Sequence, residues 1–392
     1  MKKTIKLALV AALALGATSA FATNGSVMIG TGTKALGMAG VGIGKSHGAE
    51  SALVNPALIT SVDGTEVSFG GTFFMPDVST EINGLGGTGS ANSDADLSVV
   101  PMVATATKVS DNLFIGVGMW GTAGMGVDYR TSPSNFNMVT NLQLMQFGVP
   151  IAYKMGGFSI AATPLLQYGA LDIQFSSSNP AYKGAGVAQD LVFGYNLGAA
   201  YEIAGFTVGA VYKSQIDMDY KDQITAAGNA FGLTLGSELS TPAELGLGVS
   251  YAFGANTVAL DYKQIKWEDA EGYKDFGWED QSVISIGYEY TAKTWAARVG
   301  YNHASSPISD QGIADGGATN VLNLLGFPGI IETHYALGGS YSFSEQTSFD
   351  IAYVYSPEAK ETFNHFLNGA SQETITTKHS QSALSMQVNF NF

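Results

Sequence analysis

Residues 191–203 read Leu191-Val192-Phe193-Gly194-Tyr195-Asn196-Leu197-Gly198-Ala199-Ala200-Tyr201-Glu202-Ile203. The odd positions are apolar and the even ones, after Val192, are small or polar. Successive side chains of a strand point to opposite faces, so this is a strand with one greasy face and one small, polar face. The design recurs. Leu245, Leu247, Val249, Tyr251 and Phe253 alternate with Glu244, Gly246, Gly248 and Ser250, and Trp295, Ala297, Val299 and Tyr301 with Ala296, Arg298, Gly300 and Asn302. It returns in Tyr335, Leu337, Gly339, Tyr341, Phe343 and in Phe349, Ile351, Tyr353, Tyr355.

Working outward, the alternation predicts fourteen strands, near 64–75, 97–108, 112–121, 141–154, 158–176, 188–203, 206–220, 241–253, 257–267, 281–291, 294–303, 332–343, 347–356 and 380–392. Connections at 110–111, 155–157, 204–205, 254–256, 292–293 and 344–346 are tight; those around 76–96, 122–140, 177–187, 221–240, 268–280, 304–331 and 357–379 are long. Short turns on one rim and long loops on the other are what repeated re-crossing of one membrane produces. A soluble β-sandwich or propeller also alternates, but has no reason to keep that rhythm through thirteen connections. Backbone groups in lipid must pair internally, so the sheet closes: an all-β, fourteen-stranded antiparallel transmembrane barrel is expected. Aromatics at strand ends, among them Tyr201, Tyr288, Tyr290, Tyr341 and Phe343, fit interfacial girdles. The last strand ends in Phe392, resembling the signal by which outer-membrane barrels are handed to their assembly machinery, an expected partner.

Composition agrees. Only 13% of the 392 residues are charged, 45% are hydrophobic and 49 are glycine, with net charge −15, which excludes a phosphate-binding surface and hence a nucleic-acid partner. Cysteine is absent, which excludes disulfides, Cys-bound metal centres and thiol catalysis. Lys2, Lys3 and Lys6 precede an apolar run from Leu7 to Gly16 and the small-residue site Ala20-Phe21-Ala22, so residues 1–22 read as a cleaved signal peptide. The mature chain then begins at Thr23, with fifteen cations against thirty-three anions. No later run is apolar for 18 residues, which excludes an inner-membrane helical protein. The expected location is the outer membrane of a Gram-negative cell, as a multi-pass monomer among lipid and lipopolysaccharide.

Residues 23–62 are glycine-rich and not strand-like. Gly37-Met38-Ala39-Gly40 and the run from Ala49 to Thr60, above all Asn55-Pro56-Ala57 followed by Leu58-Ile59-Thr60, resemble the FadL/TodX family of outer-membrane channels for hydrophobic compounds. Val100-Pro101, 114–129, 267–276, 295–301 and 340–343 also look like family segments. The resemblance implies a hatch at 23–62 inside a barrel at 63–392, loop capture, hatch movement, and release through a lateral gap at a kinked third strand. Read without it, Asn55-Pro56-Ala57 is an Asx-type turn opening a short helix. Long-chain fatty acids are the leading cargo the resemblance implies, with toluene-like aromatic hydrocarbons the alternative; a porin would carry no forty-residue plug.

Strand parity turns Lys213, Lys263 and Arg298 inward, where each either meets a ligand carboxylate or joins Glu202, Glu244, Glu289 and Asp350 in an ion-pair network. For any single residue the network is the stronger reading. Val27, Met28, Ile29, Leu36, Met38, Leu53 and Val54 are candidate pocket walls, and Gly116, Gly118, Gly121, Gly124 and Gly126 candidate sites of a strand kink. The long, helical third loop of fatty-acid transporters is missing at 177–187. The apolar run 321–331, with Leu324, Leu325 and Phe327, is its expected substitute, or else a loop folded back over the mouth. His47, His303, His334, His365 and His379 sit in no catalytic frame, so no enzyme and no cofactor are expected. Asp94, Asp96, Asp310 and Asp315 match no calcium loop and read as a solvated acidic face, so no metal is expected either.

Overall fold

A computed structural model describes residues 23–84, 87–176, 186–367 and 372–392; the leader and most of the third loop lie outside them. The wall consists of β1 Thr65–Gly84, β2 (Gly87–Asn92 and Ser98–Lys108), β3 Leu113–Asp128, β4 (Val139–Gly148 and Ile151–Met155), β5 Phe158–Gln174, β6 Ala188–Ile203 and β7 Phe206–Lys213. It continues with β8 Ala243–Phe253, β9 Asn256–Lys266, β10 Gln281–Thr291, β11 Trp295–Ala304, β12 Thr333–Ser342, β13 Thr347–His365 and β14 Glu373–Asn391. Neighbours pair antiparallel, and β14 returns to β1 from Ile375↔Ile82 to Asn391↔Glu66, so the fourteen-stranded sheet is closed and has no free edge.

Parity holds where it was read. Along β6 the odd residues face out, with Phe193 82% exposed, and the even residues face in. Exposed Leu245, Leu247, Ile284, Ile286, Leu337 and Ile351 continue this apolar belt around the wall. Cross-strand aromatic pairs brace its rims: Phe206 stacks on Tyr251 with centroids 4.3 Å apart, Tyr290 meets Trp295 at 5.4 Å and Tyr301 meets Tyr335 at 5.6 Å. Each such pair contributes roughly 0.5–1.5 kcal/mol beyond area burial.

Several boundaries differ from the reading. The stretches 76–84, 357–365 and 373–379, read as loop, are strand; carrying Asp77, Glu81, Glu358 and Lys360, they rise beyond the apolar belt and lack its greasy face. β3 runs on to Asp128. β7 stops at Lys213, leaving only isolated bridges Ile216↔Thr241 and Asp219↔Glu238 above it. The strand read as 141–154 breaks at Pro150, which has no N–H for a ladder.

Residues 23–62 fill the lumen as two short paired strands, Thr23–Asn24 and Val27–Met28, the helical turn α1 Thr33–Leu36 and two 3₁₀ turns, Gly48–Leu53 and Pro56–Ser61. Two loop helices, α2 Gln223–Phe231 and α3 Ala318–Gly326, sit among the long loops. No described helix is long and apolar enough to cross a membrane.

Candidate functional site

The hatch is held by polar contacts to the inner wall. Asp261, facing inward from β9, accepts the N–H groups of Gly42 and Ile43 at 2.7 Å and of Gly44 at 3.2 Å. Three successive amides curled around one carboxylate form an anion nest, here filled by the wall itself. Asn55 caps the 3₁₀ turn, its Oδ1 accepting from Ala57 N at 3.1 Å, as an Asx-type turn would. It also docks, because Nδ2 donates to Ile43 O at 2.8 Å and to Ala199 O of β6 at 3.1 Å. Wall glycines make the close approach possible. A Cβ at Gly198 would lie 2.3 Å from Asn55 Oδ1, one at Gly209 1.8 Å from Ile43 O, and one at Gly300 2.2 Å from the Met38 carbonyl carbon.

The inward cations are paired. Lys213 and Lys263 flank Glu244 at 3.2 and 3.1 Å, facing a void of about 30 Å³ also lined by Met28, Ile29 and Val54. Arg298 belongs to a different group: it meets Glu289 at 2.6 Å and Ser340 at 2.7 Å, while Lys45 takes the other oxygen of Glu289 at 3.0 Å. Lys34 sits 3.8–3.9 Å from Glu50, Glu66 and Asp350. Burial pushes the Glu50 carboxyl up to about 7, against the pull of Lys34. Burial holds the His47 ring neutral, down to about 3, with Nε2 on Val41 O at 2.8 Å. Glu202 pairs with Lys154 at 3.1 Å. Asp315 caps α3 through Gly317 N at 2.8 Å and Thr319 N at 2.9 Å, and Asp310 accepts Gly312 N at 2.8 Å. These loop carboxylates are turn builders, and no metal-holding group of side chains occurs among the described residues.

The ladder between β2 and β3 is interrupted. β2 and β3 pair from Lys108↔Phe114 to Met102↔Trp120 and no further, although β3 continues for eight residues. Pro101, next along β2, has no N–H to extend the ladder. On the other side β3 bulges between Gly121 and Ala123 against β4, and from Trp120 to Val127 both of its faces are buried. A hatch strand occupies the missing place: Val27 pairs with Ala123, and Gly124 N donates to Ser26 O at 3.1 Å. Gly121 and Gly124 therefore lie at the irregular part. Gly116 and Gly118 do not; they stay in the regular ladder, where Gly118 leaves room for Leu53 and Trp120.

The apolar run of the sixth loop is not an exposed patch, contrary to the capture expectation. Val321, Leu322, Leu324, Leu325 and Phe327 are fully buried, folded down into the barrel mouth. Phe327 stacks on Phe276 at 5.5 Å beside the cluster of Trp267, Tyr273 and Trp278, whose centroids are 4.6–4.9 Å apart. Those rings roof the hatch arm at Gly25, and Tyr273 OH meets Ser26 Oγ at 2.9 Å. Leu36, Met38 and Leu53 are buried in separate contacts with the wall, so they pack the plug rather than share one pocket. A concavity of about 470 Å³ opens on the outer face between Leu197, Tyr212, Leu247 and Tyr262 and is no part of the lumen.

A closed barrel with an apolar outer belt and a plug in its lumen is the architecture of an outer-membrane β-barrel. Residues 10–392 match the family described as outer membrane protein transport protein (OMPP1/FadL/TodX), and the chain belongs to it. It is 23% identical to a 47 kDa outer membrane protein of Pasteurella multocida, over 90% of this chain and 92% of that one. It is 22% identical, with the same coverage, to a long-chain fatty acid transport protein of Escherichia coli. The fold is similar to a FadL homologue of Pseudomonas aeruginosa (TM-score 0.72, 14% identity, 94% and 100% of the two chains). It is also similar to the toluene transporter TodX of P. putida (0.69, 18%, 93% and 99%). The chain is thus an outer-membrane channel for hydrophobic compounds and not an enzyme.

Asp261 and the wall glycines escaped the sequence reading. Parity puts Asp261 on the same inward face as Lys263, so the signal was present.

Proposed function

We propose that the channel takes up long-chain fatty acids passively, releasing them sideways into the bilayer between β2 and β3 when the hatch arm 23–28 leaves β3. The observation that carries this reading is the ladder that stops at Met102↔Trp120, with Val27 supplying the missing partner at Ala123. A water-filled pore gives an acyl chain no affinity, whereas a side exit lets it stay in apolar surroundings throughout. The similarity to a long-chain fatty acid transport protein supports the cargo. Hatch 23–62 and barrel 63–392 act as separate parts, and the barrel works as a monomer, inserted by the assembly machinery through its terminal strand and bounded outside by lipopolysaccharide. The leading alternative cargo is a monoaromatic hydrocarbon, favoured by the ring cluster Trp267, Tyr273 and Trp278 above Gly25 and by the likeness to TodX.

Competition of a long-chain fatty acid and of toluene against a fluorescent fatty-acid probe on the purified barrel tests the choice. Saturable displacement by the acid supports the fatty-acid reading. Displacement by toluene alone moves the assignment to aromatics, and binding of neither returns it to a structural barrel.

A further inference from the structure

A carboxylate entering an apolar lumen needs a cation that is not already neutralised. Among the described residues, Lys34, Lys45, Lys213, Lys263 and Arg298 line the lumen, and each is already engaged by a carboxylate within 4 Å, Lys213 and Lys263 sharing Glu244 and Lys45 and Arg298 sharing Glu289. The described cations outside ion pairs, Lys221, Lys293 and Lys360, are exposed in loops and turns or at the far end of β13.

Resting on the fatty-acid reading and on removal of residues 1–22, we propose that the α-ammonium group of mature Thr23 is the site that holds the anionic head of the ligand. Thr23 is 4% exposed, and its backbone nitrogen donates to Gln381 Oε1 of β14 at 3.2 Å. The rest of that contact is neutral. His379 Nδ1 lies 2.8 Å from Pro328 O and its Nε2 lies 3.1 Å from Gln381 Nε2. Since Pro328 O can only accept, Nδ1 carries the proton, Nε2 accepts from the amide, and Gln381 is left with its oxygen turned to Thr23. Cleavage therefore creates a positive charge whose partner is an amide oxygen and not a carboxylate.

A further observation marks the place as a polar site with unfilled capacity. Both side-chain ends of Asn24, which is fully buried, lack a hydrogen-bond partner. Unsatisfied buried polar atoms of this kind are uncommon in native proteins. The location suits a ligand on its way out. Thr23 and Gln381 share a small cavity of about 10 Å³ with Gly25, Gly124, Met125 and Gly126, beside the β2–β3 discontinuity, under Pro328 and Gly329 of the sixth loop. That space is about one water molecule, so an incoming carboxylate displaces the roof or the arm. Head-group capture and loosening of the arm that covers the gap then become one event.

The test uses mature protein purified from outer membranes, with Thr23 verified as first residue by terminal sequencing. Binding of a long-chain fatty acid is compared with that of the primary alcohol of equal chain length. The wild type is expected to prefer the acid at least tenfold. Gln381→Glu, which gives the ammonium a permanent partner, is expected to abolish that preference while alcohol binding persists. Gln381→Leu, which removes the neutral acceptor but keeps the ammonium, is expected to retain it. Equal binding of acid and alcohol by the wild type, an unchanged preference in Gln381→Glu, or equal loss in both variants overturns the proposal while the uptake reading stands. Binding of toluene with neither long-chain compound overturns the fatty-acid reading itself.

Discussion

Asn55 of the hatch and Gly198 of β6 are in direct contact: a Cβ on Gly198 would sit 2.3 Å from Asn55 Oδ1, and Asn55 Nδ2 bonds the neighbouring carbonyl of Ala199. The same side chain caps a turn, ties two hatch segments together and docks the plug on the wall. Gly198→Val is expected to displace the hatch while the wall ladder, which tolerates Val, stays intact. Heat-modifiable migration on gels should be unchanged and leakage of small hydrophilic dyes into vesicles should rise. An unfolded barrel would instead make Gly198 structural.

Asp261 satisfies three buried amides at once. Asp261→Ala leaves them without an acceptor, which costs on the order of 3 kcal/mol of docking after partial rehydration. Hydrogen exchange at Gly42, Ile43 and Gly44 should speed up by about two orders of magnitude. Asp261→Asn, with one acceptor oxygen left, should fall between.

Glu50 ties the hatch to pH. Its folded value of about 7 lies above the ordinary 4.5, so the folded state binds the proton more tightly than the free chain. That contribution is fully present below pH 4.5 and is lost as pH rises through about 7; it is on the order of 3 kcal/mol. Hatch protection against exchange should decline between about pH 4.5 and 7 and level off above that. Glu50→Gln, still able to accept Lys34 N, should flatten the decline, and an unchanged slope would place the titrating group elsewhere.

Much of the wall was legible because lipid imposes a period of two that water does not. Leu191, Phe193, Tyr195 and Leu197 face hydrocarbon as read, and the connections alternate as read. The strands that rise past the belt were missed, since residues such as Glu358 and Lys360 meet water on the outside and carry no apolar rhythm. The inward direction of Lys213, Lys263 and Arg298 was legible; their sharing between Glu244 and Glu289 was not, because it depends on which strands become neighbours. The end of the β2–β3 ladder left only Pro101 and Gly121 as traces, and either alone is compatible with an ordinary strand. The burial of Leu324, Leu325 and Phe327 was undecidable from an apolar loop sequence, which serves a packed lid and an open patch equally well.

Lateral release requires the arm to move away from β3. Val27 and Ala123 are register partners, and the chain has no cysteine, so Val27→Cys/Ala123→Cys places one disulfide across that contact. Fatty-acid uptake by cells carrying the double variant should be lost on oxidation and restored by a reductant, with barrel assembly unaffected. Uptake at the wild-type rate with the disulfide closed would contradict lateral release gated by the hatch arm.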